Sequence, residues 1–246
     1  MESFFNMLVK KDIQGLEKLK LKALFFDMDG VLFNSMPHHA KAWIYAFKSI
    51  GIEFNEYEAY MREGMTGSGT INELFNKTYG RNATQEECDK LYKTKSEYFD
   101  QLGIASPIED VDKVLNFAKD AGLDIYIVTG SGQKSLLTKL EHSFPNIFSS
   151  DKMVTAYDVK KGKPDPEPYL MALKKGGFNK NEAIVIENAP LGVQSGHSAG
   201  IFTIAVNTGI LKDEELNSRG CDLLYHNMKE LLQDLPLIVK HSQSSK

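Results

Sequence analysis

Several features that would assign a class at once are scarce in this 246-residue sequence. It has only two cysteines, Cys88 and Cys221, which lie far apart and form no metal-ligand spacing. A disulfide scaffold is therefore excluded, and two reduced, structural thiols are expected. No apolar run approaches the roughly 20 residues that span a bilayer. Charged residues at 10–12 follow soon after the start, unlike a secretory signal. We expect a cytoplasmic protein that does not enter a membrane.

An excess of positive charge is also lacking. The 29 lysines and arginines face 33 acids, which gives a net charge of −4 and a pI near 5.9. A nucleic-acid footprint and electrostatic docking on an anionic membrane are therefore not expected. Because the overall field does not attract anions, an anionic substrate would need a local positive site.

Short apolar runs predict the fold class. They read as buried strands at Ala23–Phe26, Ile125–Val128, Ala183–Ile186 and 201–206, with a weaker strand at 222–225. Because most of them are followed by a helical pattern, the sequence predicts an α/β protein whose Rossmann-like core is a doubly wound parallel sheet.

The stretch after the first strand breaks this rhythm. It holds no convincing strand, only helical patterns at 37–50, 70–78 and 86–101, the last opened by a Thr84–Glu87 capping box. We interpret it as an inserted α-helical cap joined by two connections, which allow it to rock as a lid. The predicted organisation is a helical extension at 1–20, the core at 21–35 and 106–236, the cap at 36–105, and a polar tail at 237–246.

Polar residues collect just after the predicted strands, where ligands bind in open α/β sheets. These residues are Asp27, Asp29, Thr129, Ser131, Glu187, Asn188, Asn207 and Thr208. Burying the like charges of Asp27 and Asp29 together is costly unless a cation compensates. Mg²⁺ is the natural candidate, since it prefers oxygen ligands and is often shared with phosphate.

Two other interpretations of these loops are weaker. A calcium loop starting at Asp27 would need an acid or amide where Val31 stands and a glutamate where His38 stands, so a polar turn is the remaining alternative. The glycines around Ser131 half-match a dinucleotide fingerprint, but Ser135 occupies the third glycine position.

The stretch Asp-Met-Asp-Gly-Val-Leu, which begins at Asp27, resembles the first motif of the haloacid dehalogenase superfamily. The later motifs of that superfamily follow in order: Thr129, Lys163 in Gly-Lys-Pro-Asp-Pro-Glu-Pro-Tyr, and Glu187-Asn188. The resemblance covers nearly the whole chain and includes the helical cap of the β-phosphoglucomutase-like branch. It implies a Mg²⁺-dependent phosphotransfer enzyme.

The resemblance also implies roles for the matching residues. Asp27 would be the nucleophile that becomes an aspartyl phosphate, and Asp29 the general acid/base whose carbonyl helps to bind Mg²⁺. Thr129, Gly130 and Ser131 would hold phosphate oxygens before a helix that begins near residue 133. Lys163, which without the motif would read as a solvated lysine, would offset the repulsion between the nucleophile and an incoming phosphate.

Glu187-Asn188 departs from the commoner acidic pair. By the resemblance, Asn188 is a direct Mg²⁺ ligand and Glu187 an outer one, which leaves the site one negative charge short. Glu63, in a glycine-containing cap loop, is our candidate to restore that charge; the alternative is a solvated loop carboxylate. The matching position in β-phosphoglucomutases is a lysine, and their phosphate-binding arginine aligns near Gly67.

Lys95 is therefore the only aligned cap cation that remains to hold a substrate phosphate. His39 aligns with a cap histidine that assists proton transfer, although a histidine at a helix start is often simply exposed. The pattern resembles most closely the inorganic pyrophosphatases of this branch, so we expect hydrolysis of pyrophosphate or a small phosphate ester by a monomer. The alternatives are β-phosphoglucomutase activity and a non-catalytic binding module on the same fold.

Overall fold

The computed structural model describes residues 16–131 and 136–243. Six parallel strands form one sheet in the order β3-β2-β1-β4-β5-β6. The strands are β1 Ala23–Phe26, β2 Asp124–Val128, β3 Met153–Val154, β4 Ala183–Glu187, β5 Phe202–Val206 and β6 Leu223–Tyr225. None of the described helices is long and apolar enough to cross a membrane.

The continuous apolar strands are explained by burial on both faces of the sheet. Leu24 and Phe26 face the cluster that contains the helices α5 Val111–Asp120 and α10 Met228–Gln243. Their neighbour Phe25 faces the opposite cluster, together with α7 Glu167–Gly176 and α8 Pro190–Ala199. Helix α6, Leu136–Ser143, packs on the first side, and the short α9, Asp213–Asn217, follows β5. The predicted doubly wound α/β core is confirmed.

Four helices form the cap: α1 Met36–Lys48, α2 Glu56–Met61, α3 Gly67–Tyr79 and α4 Gln85–Gln101. Pro37 lies in the first turn of α1. The predicted Thr84–Glu87 capping box opens α4, with both reciprocal hydrogen bonds present. An apolar cluster of its own holds these helices together, and it includes Phe47, Ile71 and Leu91. The inserted helical cap is therefore confirmed.

The two connections to the cap run side by side. The Asn34 N–H donates to the carbonyl oxygen of Ser106 (2.8 Å), and the Ile108 N–H donates to that of Leu32 (2.9 Å). The cap is therefore joined to the core through one narrow connection made of two adjacent crossings.

The structure differs from the sequence prediction at three places. Helix α10 continues through Gln243, with Ile238 and Val239 buried, so 237–243 is not a polar tail: its apolar residues recur at helical spacing and pack on the core. Strand β3 and helix α2 were not predicted, because two and six residues are too short to show a period. Of the predicted extension at 1–20 only the end is described, where Leu16–Lys18 form a 3₁₀ turn.

Candidate active site

The turn after β1 carries the two aspartates. Asp27 is buried, and its N–H donates to the carbonyl oxygen of Ile186 at the end of β4 (3.0 Å). Gly30 has a φ of +79°, and a Cβ there would lie 1.9 Å from the side-chain nitrogen of Asn188. Glycine is thus required both by the backbone conformation and by the close approach of the β4 loop.

Lys163 lies beneath this turn and is almost wholly buried. Its ammonium donates to Asp27 Oδ1, to Glu187 Oε1 (2.6 Å) and to the carbonyl oxygen of Val128 (2.9 Å). Glu187 Oε1 also accepts the hydroxyl of Tyr169 (2.6 Å). All three protons of the ammonium are therefore used, and the cation is fixed between two carboxylates from neighbouring strands.

The pKa values reflect this crowding of charge. Burial, together with the negative charges of Glu187 and Asp29, raises the pKa of Asp27 to about 8 despite the opposing effect of Lys163. Burial alone would lower the pKa of Lys163, but Asp27 and Glu187 outweigh it and hold that pKa above its ordinary value. One buried cation is thus insufficient to neutralise the cluster.

Glu63 reaches this cluster from the cap. Its Oε2 accepts a hydrogen bond from Asn188 Nδ2 (3.2 Å), and its side chain is buried rather than solvated. Burial and the charges of Asp27, Asp29 and Glu187 raise the pKa of Glu63 well above its ordinary value. The structure therefore brings the predicted cap acid to the predicted core amide.

The donor set fits a hard divalent cation. Among the residues that the structure describes, Glu63 Oε1 and Asn188 Oδ1 are buried oxygens that find no hydrogen-bond partner, and both side chains lie in the cluster around Asp27. Such orphaned oxygens are costly unless something binds them. Within the described residues no three acidic, histidine or cysteine side chains form a metal-binding group by themselves. A cation at this place would therefore be held by carboxylates together with the amide oxygen of Asn188.

The loop after β2 lies opposite the turn. Thr129 is buried, and its Oγ1 accepts the N–H of Ser131 (3.0 Å). Thr129, Gly130 and Ser131 line the same cavity as Asp27 and Asp29, a partly enclosed space of about 90 Å³. The predicted helix start near residue 133 lies outside the described residues, and helix α6 is described from Leu136.

The cap closes on this loop along a seam of three glycines. A Cβ on Gly130 would lie 3.1 Å from the carbonyl oxygen of Gly64, and one on Gly162 would lie 2.8 Å from Thr66 Cγ2. A Cβ on Gly64 would lie 3.0 Å from Lys163 Cδ. The cap loop that carries Glu63 therefore packs closely on the core at these three glycines, and at Gly130 the nearest atom to an added Cβ is a main-chain oxygen. Sequence analysis missed this seam.

Asp29 has a different environment from Asp27. Its Oδ1 accepts the hydroxyl of Ser35 (2.6 Å) and lies 3.2 Å from His39 Nε2. Although burial opposes the change, these groups and the positive charge of Lys95 lower the pKa of Asp29 to about 2. Asp29 is therefore ionised at neutral pH and able to accept a proton.

Lys95 extends this chain rather than standing free. Its Nζ lies 2.9 Å from His39 Nδ1 and 4.8 Å from the centre of the Phe99 ring, with Trp43 on another side. Burial lowers the pKa of Lys95 to about 8. Burial first, and then the charge of Lys95, lower the pKa of His39. The cap thus supplies basic groups to Asp29.

The structure collects every predicted site residue around one cavity and its floor, with Lys163, Glu187 and Asn188 forming the floor. Sequence analysis missed Ser35 and Tyr169, which hold Asp29 and Glu187. The strand-end rule did point to Thr208, whose hydroxyl donates to the carbonyl oxygen of Gly30 (2.5 Å), but assigned it no role.

A parallel α/β core with paired acids after the first strand, a buried lysine and a helical cap defines a capped phosphotransfer enzyme. The chain belongs to the haloacid dehalogenase-like hydrolases, whose family profile matches residues 24–206. Its fold and family make it a phosphatase or phosphomutase.

Three relatives illustrate the range of this family. A solved structure named as a putative beta-phosphoglucomutase from Bacteroides vulgatus is 51% identical, with a TM-score of 0.87, over 91% of this chain and 90% of that chain. Hexitol phosphatase A of Escherichia coli is 28% identical over 87% of this chain and 94% of its own length. The putative pyrophosphatase PpaX of Clostridium perfringens is 29% identical over 86% of this chain and 96% of its own length.

Proposed function

We propose that this protein is a Mg²⁺-dependent phosphohydrolase that acts through an aspartyl phosphate on Asp27, with inorganic pyrophosphate as its preferred substrate. A small phosphate ester is the second choice within the same reaction class. The relative named as a pyrophosphatase is consistent with this substrate. The proposal is carried by one observation: the buried cap carboxylate of Glu63 lies against the amide of Asn188.

Phosphoryl transfer would begin with Asp27. Its carboxylate lies at the floor of the cavity, where Lys163 holds one oxygen and orients the other. In the first half-reaction the free oxygen forms a bond to phosphorus while the bond to the leaving phosphate breaks. Lys163 stays ionised between its two carboxylates, so its charge reduces the repulsion of the incoming anion.

Asp29 would manage the protons of both half-reactions. Ionised and held by Ser35 and His39, it can take a proton from the water that attacks the phosphoryl group on Asp27. That attack releases phosphate and regenerates the carboxylate. The proton that Asp29 takes from the water in one turnover would pass to the leaving group in the next, so the proton balances over the cycle.

A divalent ion would be held by Asp27, the carbonyl of Asp29, Asn188 and Glu63, with Glu187 as an outer partner. When bound, it would neutralise the phosphoryl oxygens beside these acids. Asn188 contributes no charge, so Glu63 would bring the carboxylate that the core lacks. A carboxylate at this place disfavours a sugar substrate, whose second phosphate would need cap cations. Lys95 already contacts His39.

The test is phosphate release from pyrophosphate, sugar phosphates and nucleotides, with Mg²⁺ and with a chelator. We expect Mg²⁺-dependent release that is fastest from pyrophosphate. The Glu63→Gln variant should lose about 10- to 10²-fold of that rate, the range seen for removal of a group that supports a metal site. Glu97→Gln, an exposed glutamate on cap helix α4, is the matched control. Unchanged turnover by Glu63→Gln would refute the proposed substrate preference.

A mutase is the rival that the 51% identical structure favours. Incubation with β-glucose 1-phosphate and a bisphosphate primer separates the two activities. Formation of glucose 6-phosphate faster than release of phosphate from pyrophosphate would replace our proposal with the mutase.

A non-catalytic module on the same fold is the other rival. Fluoroberyllate, a mimic of the aspartyl phosphate, should bind in Mg²⁺ and not in chelator. If it does not bind to the folded protein, the binding-module interpretation gains support.

A further inference from the structure

The loop between β5 and α9, residues 207–212, contacts both domains; we name it the docking loop. Its shape is fixed from inside by Asn207, whose Nδ2 donates to the carbonyl oxygen of Leu211 (2.9 Å) and to Asp213 Oδ1 (2.8 Å). The Asn207 N–H donates to the carbonyl oxygen of Tyr225 on the neighbouring strand (2.7 Å). The start of the loop is therefore tied to strand β6 and to the first residue of α9.

This core loop is packed into the cap. Leu211 is only 6% exposed because it belongs to the apolar cluster of the cap rather than to either cluster of the sheet. A Cβ on Gly209 would lie 2.7 Å from the ring of Tyr60 on α2, which is itself buried. At the edge, the Tyr57 hydroxyl donates to Glu215 Oε1 on α9 (2.6 Å).

The same loop contacts the turn at 27–33 that follows β1 and carries Asp27 and Asp29; we call it the catalytic turn. Thr208 Oγ1 donates to the carbonyl oxygen of Gly30 (2.5 Å), the residue directly after Asp29. The Gly30 N–H donates to the carbonyl oxygen of Phe33 (2.7 Å), which closes the turn. Thr208, whose hydroxyl holds the turn, and Gly209, which meets the cap, are consecutive residues.

We propose that the docking loop couples cap closure to the geometry of the catalytic turn, with Leu211 and Thr208 as positioning residues. When the cap is seated, Leu211 and Gly209 fix the loop, and Thr208 then holds the Gly30 carbonyl so that Asp29 faces the cavity. When the cap opens, Leu211 loses its contacts with the apolar cluster of the cap. The docking loop then moves, and the hydrogen bond from Thr208 to the catalytic turn weakens. The cap therefore prepares the acid/base residue as well as covering the substrate.

Hydrogen exchange on the free protein tests this coupling without substrate, so its result is independent of the proposed function. Leu211→Ala and Gly209→Ala should each speed exchange in two separate segments, the cap at 56–66 and the turn at 28–33. Ile210→Ala is the matched control, because Ile210 is the adjacent residue and is 49% exposed. Faster exchange confined to the docking loop, or equal effects of Ile210→Ala, would overturn the proposal.

Kinetics supply the second arm. Because only the closed form binds substrate productively, Leu211→Ala should raise KM by about 5- to 50-fold with a smaller change in kcat. Leu211→Met should restore most of the loss, since it refills the same volume. A variant whose melting temperature falls while its KM stays parental would show a merely structural role and refute the coupling.

Thr208 is tested by variants that preserve shape. Thr208→Val removes only the hydroxyl, and we expect kcat to fall by about 3- to 10-fold, the usual effect of one hydrogen bond. Thr208→Ser keeps the donor and should retain the parental kcat. In the double variant with Leu211→Ala, the loss in kcat/KM should be smaller than the product of the two single losses if both residues act through the docking loop. Fully multiplicative effects would refute the coupling.

Discussion

Asp27 and Asp29 are two residues apart, yet their pKa values shift in opposite directions, although burial raises both. Asp27 lies among the acids Glu187 and Asp29 with one lysine to compensate, and its pKa rises to about 8. Asp29 lies beside His39 and Ser35, and its pKa falls to about 2. The sign of the neighbouring charges, rather than the depth of burial, decides the outcome.

The neighbours also come from different domains. The core provides Lys163 and Glu187 to Asp27, whereas the cap provides His39 and Lys95 to Asp29. The core thus sets the charge around Asp27, apart from Glu63, and the cap sets the charge around Asp29. Two carboxylates with environments this different are suited to two roles.

The largest expected effect is that of Asp27→Asn. An amide cannot form the acyl phosphate, so we expect kcat to fall by about 10⁴-fold or more. After incubation with labelled substrate the variant should carry no hydroxylamine-sensitive phosphate. Circular dichroism of the variant verifies the fold, and a parental rate from the folded protein would remove Asp27 from the mechanism.

Asp29→Asn should separate the two roles. We expect a loss of about 10²- to 10⁴-fold, the range of general acid/base groups, because water loses its proton acceptor. In contrast to Asp27→Asn, this variant should still become phosphorylated and should keep its phosphate longer than the parent. Rapid-quench counting of protein-bound phosphate measures this. An Asp29→Asn protein that never labels would contradict the division of roles.

Glu63→Gln tests the group that the cap adds to the surroundings of Asp27, and the measured quantity is the gain in folding stability when Mg²⁺ is added. A cation that binds only the native state stabilises it by about 2.7 kcal/mol at 100 times its Kd. If the variant binds Mg²⁺ about 10-fold more weakly, it should lose about 1.4 kcal/mol of that gain at the same concentration. Melting curves with and without Mg²⁺ measure the difference, with Glu97→Gln as the control. An equal gain in both variants would place Glu63 outside the metal site.

Lys95→Met acts on the Asp29 side and should have the smallest effect. Because the charge of Lys95 lowers the pKa values of both His39 and Asp29, removing it should raise both. The upward shift of the His39 pKa is measured by NMR titration of its ring resonances, and kcat should change by no more than about 10-fold. A downward shift or none would show that Lys95 does not act on this pair.

The sequence predicted the core well because its information there is local. The continuous apolar residues of Ala23–Phe26 specify a strand buried on both faces, and the strand-end rule then places Asp27, Thr129 and Glu187 at one edge. Glu63 was predicted to approach that edge from a missing charge at Asn188, and the structure brings the two side chains into contact. Their role in binding a metal stays a prediction.

What the sequence did not reveal depends on contacts between distant segments. Tyr169 reads as an ordinary core aromatic, and only the fold brings its hydroxyl to Glu187. Thr208 and Gly30 are 178 residues apart. Lys95 was predicted to hold a substrate phosphate, but no periodicity could show that its ammonium would meet His39 inside an aromatic cage.

The close contact between the cap loop and the core at Gly64, Gly130 and Gly162 has a consequence for which ligands the site admits. At Gly130 the nearest atom to an added Cβ is the main-chain carbonyl oxygen of Gly64, so no side-chain rotation could make room there. A bulkier residue at Gly130 would therefore push the cap loop away from the core. The site would then admit larger ligands and more water, although every acid of the site is left intact.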